Sequence, residues 1–268
     1  MKTIIQHTLL LTLAFACLIS CKKTDNLIDF TEEDEILLGE KLSQAFIENP
    51  DYSVIPTQGN SVPYGYASSR LNEITSSTLI TKGEEFTWNI YLLDDTERQA
   101  FAFPGGHIYI STGMIFFLDN EDQFAGLVAH LVAHINQSHI TEALFFDYGV
   151  NNLKTIATSG DSESLNNIIN DLVLTDEFIA FTRGNEIQAD TLAISMLAET
   201  DQSCASETLL YTKILTVQSN QQSKFIAAHQ LEQSRIENID EVVTTLGCDA
   251  SIDDESVSRY QSFRNSLP

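Results

Sequence analysis

Residues 121–139, Glu121-Asp122-Gln123-Phe124-Ala125-Gly126-Leu127-Val128-Ala129-His130-Leu131-Val132-Ala133-His134-Ile135-Asn136-Gln137-Ser138-His139, decide the fold. Phe124, Leu127, Val128, Leu131, Val132 and Ile135 recur at steps of three and four, the period of a helix that buries one broad face. His130 and His134 stand four apart, so their imidazoles share a face one turn apart, close enough to grip a single tetrahedral metal ion. Taken alone, such a pair is more often a coincidence, or two satisfied core groups, than a metal site. The rest of the chain has to decide between these.

A second four-residue spacing lies further on, in Glu186-Ile187-Gln188-Ala189-Asp190. On one helical face, Glu186 can complete a set of three protein donors, while Asp190 can accept the other ring N–H of a metal-bound histidine and fix its tautomer. In a chain this acidic, a solvated acidic face is an equal reading of the same spacing.

Outward from these segments the pattern predicts an α+β fold, mostly helical with a small sheet and no internal repeat. The apolar-periodic stretch 36–47 follows a run of four acids suited to a helix amino terminus, and Asn49-Pro50 closes it. A second helix is expected over 64–78. Residues 86–92 alternate aromatic or branched side chains with polar ones, as in a half-buried strand. Phe101-Ala102-Phe103-Pro104-Gly105-Gly106 reads as a turn, its glycine pair permitting close backbone approach, that delivers a strand at 107–111. Residues 151–171 are polar, with Ser159-Gly160-Asp161-Ser162 as their loop, and a long helix is expected over 171–199. The remainder from Ser203 is helical in composition and ends in a polar, frayed stretch, 256–268.

Lys2 precedes an apolar run, 9–19, that is too short to span a bilayer permanently, so residues 1–20 read as a signal peptide. Leu18-Ile19-Ser20-Cys21 resembles a bacterial lipobox, which would make Cys21 an acylated first residue. An ordinary signal peptide with an incidental cysteine is the alternative. The expected organisation is then a lipidated tether over 21–30, a domain over 31–250 and a polar tail over 251–268. The location is the bacterial cell envelope, on its periplasmic side or at the cell surface, held to a membrane by the acyl chain. The formal charge of −24 repels phosphate backbones, which argues against nucleic acid as a partner. With 43% apolar residues the chain has ample material for a core, which excludes general disorder. Cys204 and Cys248 are free to bridge in an oxidising compartment, and neither has a second cysteine at metal-ligand spacing.

A resemblance now joins these pieces. Residues 99–109 (Gln-Ala-Phe-Ala-Phe-Pro-Gly-Gly-His-Ile-Tyr), residues 121–130, His134, His139, Arg183, Glu186 and Asp190 together resemble peptidase family forty-eight, the HtpX, BepA and CAAX-prenyl-protease group. The likeness extends over roughly residues 31–245. It implies a zincin-like fold, zinc held by His130, His134 and Glu186, and an orienting Asp190. It also implies an edge strand, Gly105, Gly106, His107, Ile108 and Tyr109, that pairs with substrate backbone. His229 with Arg235 resembles a His-Pro…Arg element beside the cleft, with Gln230 in place of the proline. Without the family context, a surface histidine and arginine would be the ordinary reading.

One departure matters most. The family pattern is H-E-x-x-H, and this chain reads His130-Leu131-Val132-Ala133-His134. In the family that glutamate takes a proton from the attacking water and passes it to the leaving amine, and leucine has no lone pair or proton to offer. Leu131 replaces a group that is not a ligand, so zinc binding is expected to survive. Three functions follow: a pseudoprotease that binds polypeptide segments or an active protease relative, a working endopeptidase rescued by another acid such as Glu121 or Glu142, and a metal-free structural lipoprotein.

Overall fold

Four acids, Glu32, Glu33, Asp34 and Glu35, open helix α1 (Glu32–Glu48) at its positive end, and Leu38, Leu42 and Phe46 form the buried stripe that docks it. The computed structural model describes residues 30–173, 181–216, 225, 229, 231–252 and 254–268. The signal peptide, the lipobox at Cys21 and the substitution at Gln230 lie outside these residues. Helix α2 (Ser61–Thr75) follows α1 and leads into a three-stranded sheet of β1 (Asn89–Leu93), β2 (Ala100–Phe103) and β3 (His107–Ser111). The mostly helical architecture with one small sheet is the α+β class expected from the sequence.

The sheet order is β1-β3-β2, with β1 parallel and β2 antiparallel to β3. This corrects the expectation for residues 107–111. That strand is the centre of the sheet, paired on both sides from His107 onward, and it has no free edge to offer. The reason is local: residues 100–103, read from sequence as part of a turn, are themselves extended and fold back on β3 as the edge strand. Pro104–Gly106 forms a single 3₁₀ turn between them. Gly106 has φ +92°, and a Cβ there would lie 2.2 Å from the Thr87 carbonyl oxygen, so the close approach expected of the glycine pair is present.

Alternation sends Ala102, Ile108 and Ile110 into the main core, while Phe101, Phe103 and Tyr109 surround the Phe46 ring of α1 on the other face. After the short helix α3 (Thr112–Phe117) comes α4 (Glu121–Asn136), capped by Asn120, whose side chain accepts from the Gln123 N–H. Every residue of α4 is buried, which makes it the central helix rather than an amphipathic surface one. At Gly126 a Cβ would sit 2.7 Å from the Ser206 carbonyl oxygen, so helix α9 (Ser206–Leu215) lies directly on α4.

Three further differences from expectation have physical causes. The polar region 151–171 is helical, forming α6 (Val150–Ser159) and α7 (Ser162–Val173) after α5 (His139–Tyr148), with left-handed Gly160 between them. Leu153, Ile156, Leu165 and Ile168 give each of these helices an apolar stripe. The long helix expected over 171–199 is α8 (Arg183–Leu197), started by Thr182, which accepts from the Asn185 N–H. The polar tail is not frayed: residues 254–265 form α11 (Asp254–Asn265), and Tyr260 and Phe263 are buried against Tyr66 and Phe124. Two aromatic rings outweigh the polarity of the segment around them.

Cys204 and Cys248 form a disulfide with a Cα–Cα distance of 5.4 Å, tying the stretch between α8 and α9 to the end of α10 (Gln233–Leu246). Their separation of 44 residues, in the chain-entropy account, corresponds to about 4 kcal/mol of stabilisation. Cys204→Ser with Cys248→Ser should lower the unfolding free energy by up to that amount in a denaturant titration. An unchanged midpoint would mean that the bridge does not constrain the unfolded chain.

Candidate metal centre

Helices α4 and α8 pack side by side, and this brings His130, His134 and Glu186 together. A fourth group, His229, joins them, and the four donor atoms lie within 4.8 Å of one another. His130 Nε2 stands 3.1 Å from His134 Nε2 and 3.1 Å from His229 Nδ1. Glu186 Oε1 is 3.0 Å from His229 Nδ1 and 3.4 Å from His134 Nε2. Tetrahedral zinc with bonds near 2.0–2.1 Å needs donor edges of about 3.3 Å, and these four spacings are close to that. All four residues are buried, and Glu186 Oε2 lacks a well-directed hydrogen bond. Three imidazoles and one carboxylate in a dry pocket are a donor set that zinc satisfies and water does not.

The protonation states agree. Burial pushes His134 well below its ordinary pKa, helped by its histidine neighbours, and burial likewise lowers His229. Neutral imidazoles are the form that ligates. Burial alone would raise the Glu186 carboxyl, but His229, His130 and Arg235 together outweigh it and hold the group below the usual carboxylate range. The ring tautomers are set from outside. His139 Nε2 lies 3.2 Å from Gln188 Oε1, and His139 Nδ1 lies 3.2 Å from His134 Nδ1. With its Nε2–H donated to Gln188, His139 accepts from His134 Nδ1–H, which leaves the His134 Nε2 lone pair facing the cluster. Asp190 Oδ1 plays the same part for His130, 3.1 Å from its Nδ1 in a bent approach.

Arg235 binds this arrangement together. Fully buried, it donates through Nε and Nη2 to both oxygens of Asp190 at 2.9 and 2.8 Å, pairs through Nη1 with Glu186, and donates to the His229 carbonyl at 3.1 Å. It also donates to the Tyr211 hydroxyl, which in turn lies 3.2 Å from Asp190 Oδ1. One guanidinium therefore neutralises two carboxylates on α8 and fixes the backbone that presents His229.

Of the residues singled out in the sequence, His130, His134, Glu186 and Asp190 converge as expected. His229 and Arg235, a surface pair on spacing alone, are both buried in the cluster. Leu131 is buried in the core beside His130. Glu121 is elsewhere: nine residues before His130, about 14 Å along the helix, and paired with Arg70 and Arg259. Glu142 faces a groove beyond Phe181, whose ring lies 4.0 Å from that of His134. Sequence reasoning missed Tyr211, Phe181 and Glu207. Glu207 is buried near His130 and Asp190 without a hydrogen-bond partner, and burial followed by the Asp190 charge raises its pKa well above the ordinary value. A lone tyrosine and glutamate on α9 and a lone phenylalanine just before α8 carry no spacing signal that would have found them.

Two outcomes follow for the protein in chelator. The unfolded chain gains protons on its histidines below about pH 6.5, which His134, His139 and His229 resist in the folded state, so Tm should fall as pH drops from 7.5 to 5. A further loss is expected near pH 4, where the unfolded carboxyls protonate and Glu186 and Asp190 still hold their charge. Arg235→Met should destabilise by about 3–5 kcal/mol, because it strands two buried carboxylates. A flat pH profile or a neutral substitution would contradict this account of the cluster.

The sequence profile described as Peptidase family M48 matches residues 66–243. Among curated proteins, the chain is 24% identical over 160 residues to the Beta-barrel assembly-enhancing protease of Escherichia coli (strain K12), covering 56% of this chain and 33% of that protein. It is 26% identical over 119 residues to the protein of the same name from Yersinia pestis, covering 41% and 24%. It is 23% identical over 160 residues to the Mitochondrial metalloendopeptidase OMA1 of Schizosaccharomyces pombe, covering 59% and 47%. The matched segments thus span from about a quarter to about half of these relatives. With the profile covering most of the folded region and the donor set in place, the chain belongs to peptidase family M48, a family of zinc metallopeptidases.

Proposed function

We propose that this chain is a lipid-anchored M48 homologue of the cell envelope that holds zinc and engages polypeptide without efficient hydrolysis. The observation that carries the reading is Leu131, an alkyl side chain at the position where the family pattern requires a proton carrier. A bound zinc ion supplies Lewis acidity, polarising a carbonyl and acidifying water. The proton transfers themselves need a side chain. General acid–base assistance contributes about 10²–10⁴-fold, or roughly 3–5 kcal/mol of barrier, and here it is missing at both transfers.

The surroundings support this reading. The nearby acids are otherwise disposed: Glu121 is paired far along α4, Asp190 is engaged by Arg235, Glu142 lines a groove that contains none of the donors, and Glu207, beside Asp190, is held by burial in its neutral form, which cannot take a proton from water. His229 Nδ1 occupies the fourth corner of the donor set, the position a catalytic zinc site leaves open. Arg235 holds His229 there through its carbonyl. Four protein donors make a closed site of the structural kind.

A polypeptide can still add to the sheet, but at β2 rather than at residues 107–111. Among the described residues, β2 has no backbone partner on its outer side. Its occupant would be a client segment or an extended stretch of an active protease relative. Residues 1–20 as a signal peptide and Cys21 as the acylated residue give the envelope location, which suits the relation to proteins named for β-barrel assembly. Among the described residues no helix is long and apolar enough to cross a membrane, so attachment of this region would rest on the acyl chain.

The test is zinc stoichiometry together with cleavage of unfolded casein, on the native chain, Leu131→Glu, His229→Ala and the double variant. One zinc per native chain, no cleavage, and activity appearing in Leu131→Glu combined with His229→Ala are expected. Chelator-sensitive cleavage by the native chain, abolished in His130→Ala, would establish a working peptidase instead. No zinc uptake and no thermal shift on adding metal would leave a structural lipoprotein.

A further inference from the structure

A groove of about 630 Å³ runs between α5 and the start of α8, on the far side of Phe181 from the metal donors. The Phe181 ring lies against those of His134 and His229 and also lines the groove, as do His139 and Gln188, whereas none of the four donors does. On α5, the four-residue spacing places Glu142 one turn from Phe146 and Ala143 one turn from Asp147, so all four line the groove. Phe146 is 93% exposed, the most exposed of the large apolar side chains among the described residues. Among the described residues little packs on this phenyl ring, and an apolar ring so exposed on the rim of a cleft is a candidate contact for a partner.

The charges flanking it are one-sided. Glu142 and Asp147 are the only charged side chains lining the groove, and neither is paired with a basic residue among the described residues. The single polar contact to Glu142 is a long one, from Asn185 Nδ2 at 3.4 Å. Other acids of the fold do meet a cation, as Glu35 does with Lys82 and Glu121 with Arg70. Here two carboxylates five positions apart bracket an apolar floor and lack their cations.

We propose that this groove is a docking site for a polypeptide segment that presents a bulky apolar side chain beside a lysine or arginine. The apolar side chain packs on Phe146, Ala143 and Phe181, and the cation lies between Glu142 and Asp147. The site deepens the polypeptide-binding reading above, but it does not depend on whether the metal centre is catalytic, because none of the four donors lines it.

Fluorescence anisotropy of the purified full chain with a labelled short peptide, Leu and Phe flanked by Lys, tests this. The comparison peptides carry Glu for Lys, or Ser for the apolar pair. The native chain should bind the basic apolar peptide at least about tenfold more tightly than either comparison. Phe146→Ser, and separately Glu142→Lys with Asp147→Lys, should each weaken binding about tenfold while zinc content and Tm stay unchanged. All these positions line an open groove, so folding is spared. Equal binding of acidic and basic peptides, or native-like binding by both variants, would overturn the proposal. Self-association that Phe146→Ser abolishes, with no peptide competition, would assign the groove to a second copy and overturn it too. Mass spectrometry of the recovered peptide separates the two readings: a cleaved peptide sinks the pseudoprotease and leaves the docking site intact, whereas an intact but unbound one does the reverse.

Discussion

Three carboxyl groups and four imidazoles are buried around one guanidinium in this protein, and the balance of their charges constrains everything nearby. Glu186 and Asp190 both project from α8 into a space that excludes water, where an unpaired carboxylate would be strongly unfavourable. Arg235 answers both at once. Because it sits on α10 and also bonds the His229 carbonyl, the requirement to neutralise two acids fixes where α10 lies and where the fourth donor points. Glu207, the third carboxyl, has no cation left to meet, and its environment favours the neutral acid. A dication among the donors would add the positive charge that this cluster otherwise lacks.

The same constraint explains why a leucine at position 131, between the two histidine donors of α4, leaves the arrangement of the cluster intact. Leu131 lies on α4 among apolar neighbours, where leucine is an ordinary core residue, and the metal donors do not depend on it. The orienting contacts, His139 with Gln188 on one histidine and Asp190 on the other, belong to the donor set and remain. Core packing at position 131 and the metal donors are thus carried by different side chains on one helix.

How much was visible in the sequence follows from the range of each interaction. The zinc-bearing helix, the two donors on it, and Glu186 with Asp190 could be read because each pair repeats within a single helix, where spacing alone fixes relative position. The placement of His229 and Arg235 could not be derived that way, since it depends on packing between helices, and only family likeness hinted at it. Residues 100–103 were misread because four residues before a Pro-Gly-Gly turn look like the turn itself until their antiparallel partner is known. Tyr260 and Phe263 were masked by the serines and charges around them, although two rings at a three-residue spacing are enough to dock a helix. Phe181 and Glu207 left no trace, because a single residue has no period.

The contacts that finish the central helix come from far along the chain. Glu121 at its start is met by Arg259, 138 residues later, and Asp122 by Ser256, 134 residues later. His130 is met by His229, 99 residues on. An apolar helix completed by such distant segments is sheltered only after long loops have closed, so its assembly is slow and the half-assembled chain is sticky. A chain whose central helix is covered so late presents apolar surface that chaperones recognise before it is folded.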